Sequence, residues 1–330
     1  MRMNRQGKVD HIMNKRVYGV LGISSVMANW NADFSGYPKT TTSGDVFGSD
    51  KAFKYPMKKM WENEGKPVLY IKSMRIMDGK KGEKNLSPRT LKERYEQIFK
   101  VEDLKQEKDV NVILKNLFQA VDVKNFGATF AEAGANISIT GAVQIGQGFN
   151  KYADTQVQEQ NILSPFRDPN AKDKSKDGEE AKNATLGTKI VSDEAHYFYP
   201  FTINPAAYDS FVDLDVTEGY TEEDYKEFKE AALSAATSFA TNSKVGCENE
   251  FGLFVETEND LYLPNLDKYV TFEKNSALGM NTIKITNIEL FKEVADRIHS
   301  IEVYYNPYTT KLDCEIEDAK KFNIFTGKTI

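Results

Sequence analysis

Cysteine is nearly absent from this chain. Its 330 residues include two, Cys247 and Cys314, and no Cys-x-x-Cys pair. That excludes a zinc ribbon or a dithiol redox motif and points to a reducing, cytoplasmic compartment. Histidine is as scarce. His11, His196 and His299 share no metal-ligand spacing, and no His-Glu-x-x-His occurs, so no metal site is expected. Long apolar runs are missing too. The most apolar early stretch, Val17 to Ile23, is far shorter than the ~20 residues that span a bilayer. It follows Lys15-Arg16 without a small-residue cleavage site, so neither a membrane span nor a signal peptide is expected. Gly-x-Ser-x-Gly is absent. Ahead of Gly327-Lys328-Thr329, Phe322 stands where a phosphate loop needs its first glycine. Gly146-Gln147-Gly148 is too short for a dinucleotide fingerprint, and no cofactor is expected.

What is present suits one elaborated globular domain over 1–330. The chain has 20 Phe, 16 Tyr and 40% hydrophobic residues, enough for a sizeable core. Its 43 Lys+Arg against 49 Asp+Glu give a net charge of -6, which taken alone argues against general nucleic-acid binding. The charge is uneven, however. Residues 1–100 hold 20 Lys/Arg and 10 Asp/Glu, a net of +10, which leaves 23 and 39, a net of -16, for 101–330. A basic part facing a polyanion is compatible with an acidic part that keeps the protein in solution.

The pattern along the chain predicts an α+β fold with helices on one face of a mostly antiparallel sheet. A ferredoxin-like or RRM-like core is one such arrangement. Arg16 to Ala28 reads as a central strand and Asn29 to Asp50 as a long irregular loop. Lys51 to Glu64 reads as a basic helix stopped by Gly65, and Pro67 to Met77 as a second strand. Ser87-Pro88 suits a helix start, and Val110 to Phe126 mixes helix and strand signals. Ile137, Ile139, Val143 and Ile145 alternate like strands, and strand signals resume over Thr188 to Ile203. Thr221 and Asp224 form a capping box ahead of a helix to about Thr241. The end predicts strands near 251–256 and 269–272, a helix near 288–299 and a hairpin over 301–317 turning at Asn306-Pro307.

Two patterns carry chemistry. His196 lies among aromatics in Ala195-His196-Tyr197-Phe198-Tyr199. It reads either as a packed histidine or as the base of a metal-independent ribonuclease that cuts repeat RNA on a ferredoxin-like fold. The second pattern is basic. Lys51, Lys54, Lys58 and Lys59 fall on one helix face, where like charges repel unless an anion offsets them. Pro56 leaves two helix starts open, near Lys51 or at Pro56 itself; either gathers lysines near a helix N-terminus, where phosphate can bind. Trp30, Phe34 and Tyr37 precede them, either as core rings or as platforms for unpaired bases.

Four passages go further. They are Val17 to Asp33 (VYGVLGISSVMANWNAD), Gly48 to Tyr55 (GSDKAFKY), Ile139 to Gly146 (ITGAVQIG) and Leu186 to Lys189 (LGTK). Together they resemble the backbone subunit of type I CRISPR interference complexes (Cascade), the Cas-seven superfamily, in its type I-B branch. Where other branches show Ser-Ser-Gln-Ser and a nearby Arg, this chain has Asp50 and Tyr55. The resemblance implies a hand-like fold with a modified RRM-like palm, helical insertions and a protruding thumb hairpin. It implies a protein that is not an enzyme. Copies stack as a helical filament along one crRNA, each gripping guide backbone, while exposed bases pair with target DNA. Cas-five-type, large Cas-eight-type and small subunits complete the implied particle. The protein then holds phosphate and sugar, and base pairing reads the sequence. By this resemblance Ser49, Lys51, Lys54 and Lys58 lie on the guide backbone, with weaker contacts from Thr140, Gln144 and Gln147. The thumb falls within 161–190, its tip at 170–183, with Phe166 and Leu186 wedging beside a displaced base.

Overall fold

The computed structural model describes residues 12–79, 83–167, 183–275, 279–287, 289–316 and 318–330, with backbone alone for 164–167 and 183–186. Strand β1 (Lys15–Ala28) is its centre. Val17, Leu21 and Ile23 feed one hydrophobic core, and Tyr18 and Val20 feed another, so both faces of β1 are buried. β1 pairs antiparallel with two long strands that come much later in the chain.

The chain leaves β1 through the irregular loop and reaches β2 (Phe47–Gly48) and α1 (Asp50–Asn63). Gly65 has φ +80, the left-handed geometry that stops a helix. A small hairpin, β3 (Met74–Asp78) with β4 (Lys84–Pro88), precedes α2 (Leu91–Phe99). Helices α3 (Val110–Leu117) and α4 (Val121–Phe126) lead into the paired β5 (Gly127–Glu132) and β6 (Ala135–Thr140). Short β7 (Val143–Ile145) and β8 (Gly148–Asn150) follow, then the long hairpin of β9 (Val157–Arg167) and β10 (Asn183–Ile203). Next come α5 (Asp209–Asp213), α6 (Glu222–Ser238) and β11 (Cys247–Glu258). The chain ends in β12 (Val270–Glu273), β13 (Asn281–Ile285), α7 (Glu289–Glu293), β14 (Ile298–Tyr305), β15 (Thr310–Cys314) and β16 (Lys320–Asn323).

The main sheet runs β16-β14-β11-β1-β10-β8-β2, with β7 and β9 also on β10. It is antiparallel except for the β14–β16 pair. On one face pack Phe53, Met57 and Trp61 of α1, Leu117 of α3, Val123 of α4, and Tyr225 and Phe228 of α6. The expectation of helices on one face is therefore incomplete. The other face is covered as well, by Val270 and Phe272 of β12, Ile283 of β13 and Phe291 of α7.

Several local expectations are corrected. Residues 68–71 are buried or half-buried but not a strand; pairing begins at Met74. Ser87 lies in β4, and the α2 N-cap is Thr90, in a capping box with Glu93. The 288–299 helix shrinks to α7 and a 3-10 turn, because Ile298 onward is taken by the sheet. A chain reversal does follow Asn306, whose carbonyl accepts from Thr310 N at 2.9 Å. Its arms do not pair with each other: β14 joins β11, and β15 joins β13 in parallel. The proposed tip, 170–183, lies outside the described residues except Asn183.

Candidate nucleic-acid interface

α1 starts at Ser49, not at Pro56. The Ser49 side chain accepts from Ala52 N at 3.3 Å, and its own amide donates to Asn31 Oδ1 at 2.8 Å. The loop after β1 is thereby tied to the helix N-terminus. Pro56 sits inside the helix, buried, where it lacks an amide to donate. Gly48 and Gly148, paired across β2 and β8, lie against the buried Tyr199. A Cβ on Gly48 would stand 1.9 Å from the Tyr199 hydroxyl, and one on Gly148 2.3 Å from its ring. This close approach holds Gln147, the residue before Gly148, beside the start of α1.

The lysines differ sharply in environment. Lys51 is exposed and makes no ion pair among the described residues. Lys54 Nζ is 2.9 Å from Asp50 Oδ2 and 5.1 Å from the Phe126 ring centre. Lys58 Nζ lies 3.5 Å from Asp122 Oδ2, 3.4 Å from the Tyr70 carbonyl and 5.9 Å from the same Phe126 ring. Burial pulls the Lys58 pKa down, and Asp122 opposes that pull. Lys59 pairs with Glu62 at 2.8 Å. Carboxylates of the chain itself thus offset Lys54, Lys58 and Lys59, and only Lys51 is left to an outside anion.

Phe126 links this helix face to the next segment. Gly127 pairs with Thr140 in β6, and a Cβ on Gly141 would stand 2.2 Å from the Phe126 carbonyl carbon. Thr140, Gln144 and Gln147 are exposed, and Gln144 Nε2 donates to the Gly141 carbonyl at 2.8 Å. A continuous path of contacts therefore joins α1, the β6–β7 turn and β8. Phe166 and Leu186 fall in β9 and β10, but their side chains lie outside the described residues.

Two features escaped the sequence reading. Asp122, fully buried, accepts from Leu69 N and Tyr70 N at 2.8 Å each and anchors Lys58. Its only sequence signal is a carboxylate inside the apolar Val121-Asp122-Val123. Phe47 and Phe149 face each other across β2 and β8, centroids 5.9 Å apart and planes tilted by 34°, and Lys39 sits 5.5 Å over Phe47. Of the loop aromatics, Trp30 is core, donating to the Tyr199 hydroxyl at 2.5 Å, whereas Phe34 is fully exposed.

His196 is a packed histidine. It is 2% exposed, with Nδ1 2.9 Å from Glu250, Nε2 3.0 Å from Glu194, and its ring stacked 3.9 Å from Phe272. Burial opposes its charge, but the two carboxylates outweigh burial and raise its pKa. Both ring nitrogens are engaged by carboxylates of the chain itself. Among the described residues, no group of three or more His, Cys, Asp or Glu side chains is placed to hold a metal ion. No described helix is long and apolar enough to cross a membrane.

A family model described as "CRISPR-associated protein Cas7" matches residues 15–297. No curated protein matches the chain. The fold is similar to a chain of a "CRISPR RNA-guided surveillance complex, pre-nicking", at 13% identity and TM-score 0.48, covering 93% of this chain and 96% of that one. It is similar also to a chain of a "CRISPR RNA-guided surveillance complex", at 15% identity and TM-score 0.42, covering 88% and 91%.

Proposed function

Because the chain belongs to the CRISPR-associated protein Cas7 family, we propose that it is the crRNA-binding backbone subunit of a type I-B Cascade. Copies polymerise along one guide, hold its sugar–phosphate backbone and leave bases free to pair with target DNA. Cas-five-type, large Cas-eight-type and small subunits are its other partners. The single observation that carries this reading is the surface joining the α1 N-terminus to the β6–β8 segment. It offers a helix start, amides, hydroxyls and one lysine with no ion pair among the described residues, which are tools for phosphate and sugar rather than base edges.

The palm is RRM-like in this reading. The order β1, α1, β8, β10, α6, β11 along the chain, with β11-β1-β10-β8 across the sheet, is that of a split β-α-β unit, which supports it. The paired β9 and β10, rising beyond the palm strands, support a thumb. The protein acts without chemistry of its own, and the sealed His196 weighs against a ribonuclease that uses it as base.

The test is to purify the protein with its partners from cells expressing a repeat–spacer transcript, digest with nuclease and size the protected RNA. A ladder with a constant increment is expected, since each subunit covers a fixed length. No protected RNA in the presence of the partners overturns the reading, and specific cleavage of repeat RNA in EDTA replaces it with the ribonuclease.

A further inference from the structure

Strand β14 is paired along its length on one side and along only part of it on the other. β11 pairs with it from Ile298 to Tyr305, whereas β16 pairs only with Glu302 to Tyr305. Among the described residues, no strand, turn or loop backbone bonds to the free side of 298–301. Such an edge presents alternate N–H and C=O groups without a ladder partner. The edge of β16 is treated differently, because the chain's own residues 328–330 bond to it. Asn323 N donates to the Lys328 carbonyl and Ile330 N to the Lys321 carbonyl, both at 2.9 Å.

The open stretch borders a cavity of about 510 Å³. Its floor is apolar: Phe291 of α7, Ile298 and Ile301 of β14, and Ile316 after β15. All four belong to the core shared with β12 and β13 or pack against it, so here that core reaches solvent. The register shift between β11 and β14 leaves His299 unpaired in the ladder and exposed at the rim, 3.4 Å from Glu258. Lys292, also at the rim, pairs with Glu289 at 3.0 Å. Glu315 and Asp318 line the cavity from the connection between β15 and β16. Both are exposed and make no ion pair among the described residues, and the same holds for Lys320 at the start of β16. The unmatched charge at the rim is therefore two carboxylates against one ammonium. An unpaired backbone edge fits a strand, an apolar floor fits one side chain, and a net-negative rim fits a cation. A nucleic-acid strand has no amide ladder to offer and is repelled by such a rim.

We infer that this slot takes an extended segment of a partner protein as an added strand on β14. One apolar side chain of that segment enters the cavity, and a lysine beside it lies against Glu315 and Asp318. The inference rests on the reading of this chain as a subunit of a multi-protein particle, and on no RNA contact.

The experiment uses the full chain, alone and in the particle assembled with its partners and guide RNA. Amide hydrogen exchange is read over 298–301, and a water-soluble carbodiimide joins carboxylates to lysines in contact with them. Residues 298–301 should exchange about tenfold more slowly in the particle than in the chain alone. Glu315 or Asp318 should crosslink to a lysine in an extended segment of another protein. Glu315→Lys combined with Asp318→Lys should weaken retention of that partner about tenfold and leave the guide RNA content unchanged. Both positions are exposed, and thermal unfolding checks that the variant folds. Equal exchange in the chain and in the particle overturns the inference while the functional reading stands, and so does unchanged retention of every protein by the charge-reversed variant. If no particle containing guide RNA forms, the functional reading falls and this inference with it. Crosslinks from 298–301 to RNA, or from Glu315 to a second copy of this chain, give the slot another occupant and overturn the assignment.

Discussion

The two faces of the central sheet treat positive charge in opposite ways. On the face covered by β12, β13 and α7, His196 is enclosed by Glu194, Glu250 and Phe272, and Lys274 closes over Glu194. On the helical face, α1 carries its lysines from a buried pair at Lys58 to open solvent at Lys51. A cation that is buried and matched holds the fold together. A cation that is exposed and unmatched remains available for a ligand. Four lysines on one helix are therefore not one patch. Lys58 is a strut, Lys54 is shared with Asp50, and Lys51 is the free charge.

The sharpest way to break this comparison is Asp122→Ala. It strips two backbone amides and Lys58 of their acceptor, and unfolding in urea should show a loss of about 3–5 kcal/mol. A loss below about 1 kcal/mol would show that Lys58 is not held as described. The next effect is at His196. His196→Gln should cost about 1.5–3 kcal/mol near pH 6, because hydrogen bonds to two carboxylates are lost. The sign of its pH dependence follows from the raised pKa. The histidine's contribution is complete below its unfolded value of about 6.5 and is lost as pH rises through the folded value. The gap between wild type and variant should therefore narrow from pH 6 to pH 9; a constant gap would mean that the histidine is neutral. Glu194, whose pKa is lowered, contributes in the opposite sense, its share fading as pH falls. The smallest effect on the fold is expected for Lys51→Glu. Its melting midpoint should move by no more than about 2 °C, while guide RNA binding weakens about tenfold. Unaltered RNA retention would move the groove away from α1.

Local chemistry was legible where it is written in neighbouring residues. The apolar Val17–Ile23 run marked the central strand, Gly65 the end of α1, and Thr221 with Asp224 the start of α6. Pairing across long sequence distances was not. The residues after Asn306 look like the second arm of a hairpin, yet β15 lies parallel to β13, a choice set by packing on Phe272, Ile283 and Phe291. The same limit applies at the candidate interface. Lysine spacing located the helix face, but nothing near Lys58 announces that Asp122, 64 positions away, will claim its charge. The exposure of Phe34 beside the burial of Trp30 is likewise a tertiary outcome, decided by Tyr199.

The placement of the two tryptophans has an optical consequence. Trp30 faces Phe53 at 6.3 Å and Trp61 faces Phe126 at 5.8 Å, so the chain's entire indole emission arises beside α1. Trp30 also lies 5.5 Å from the Lys244 ammonium. Trp30 thus lies against Gly48, beside the α1 N-terminus where RNA is proposed to rest, and Trp61 lies in the last turn of the same helix, so a change in emission on loading is expected from Trp30.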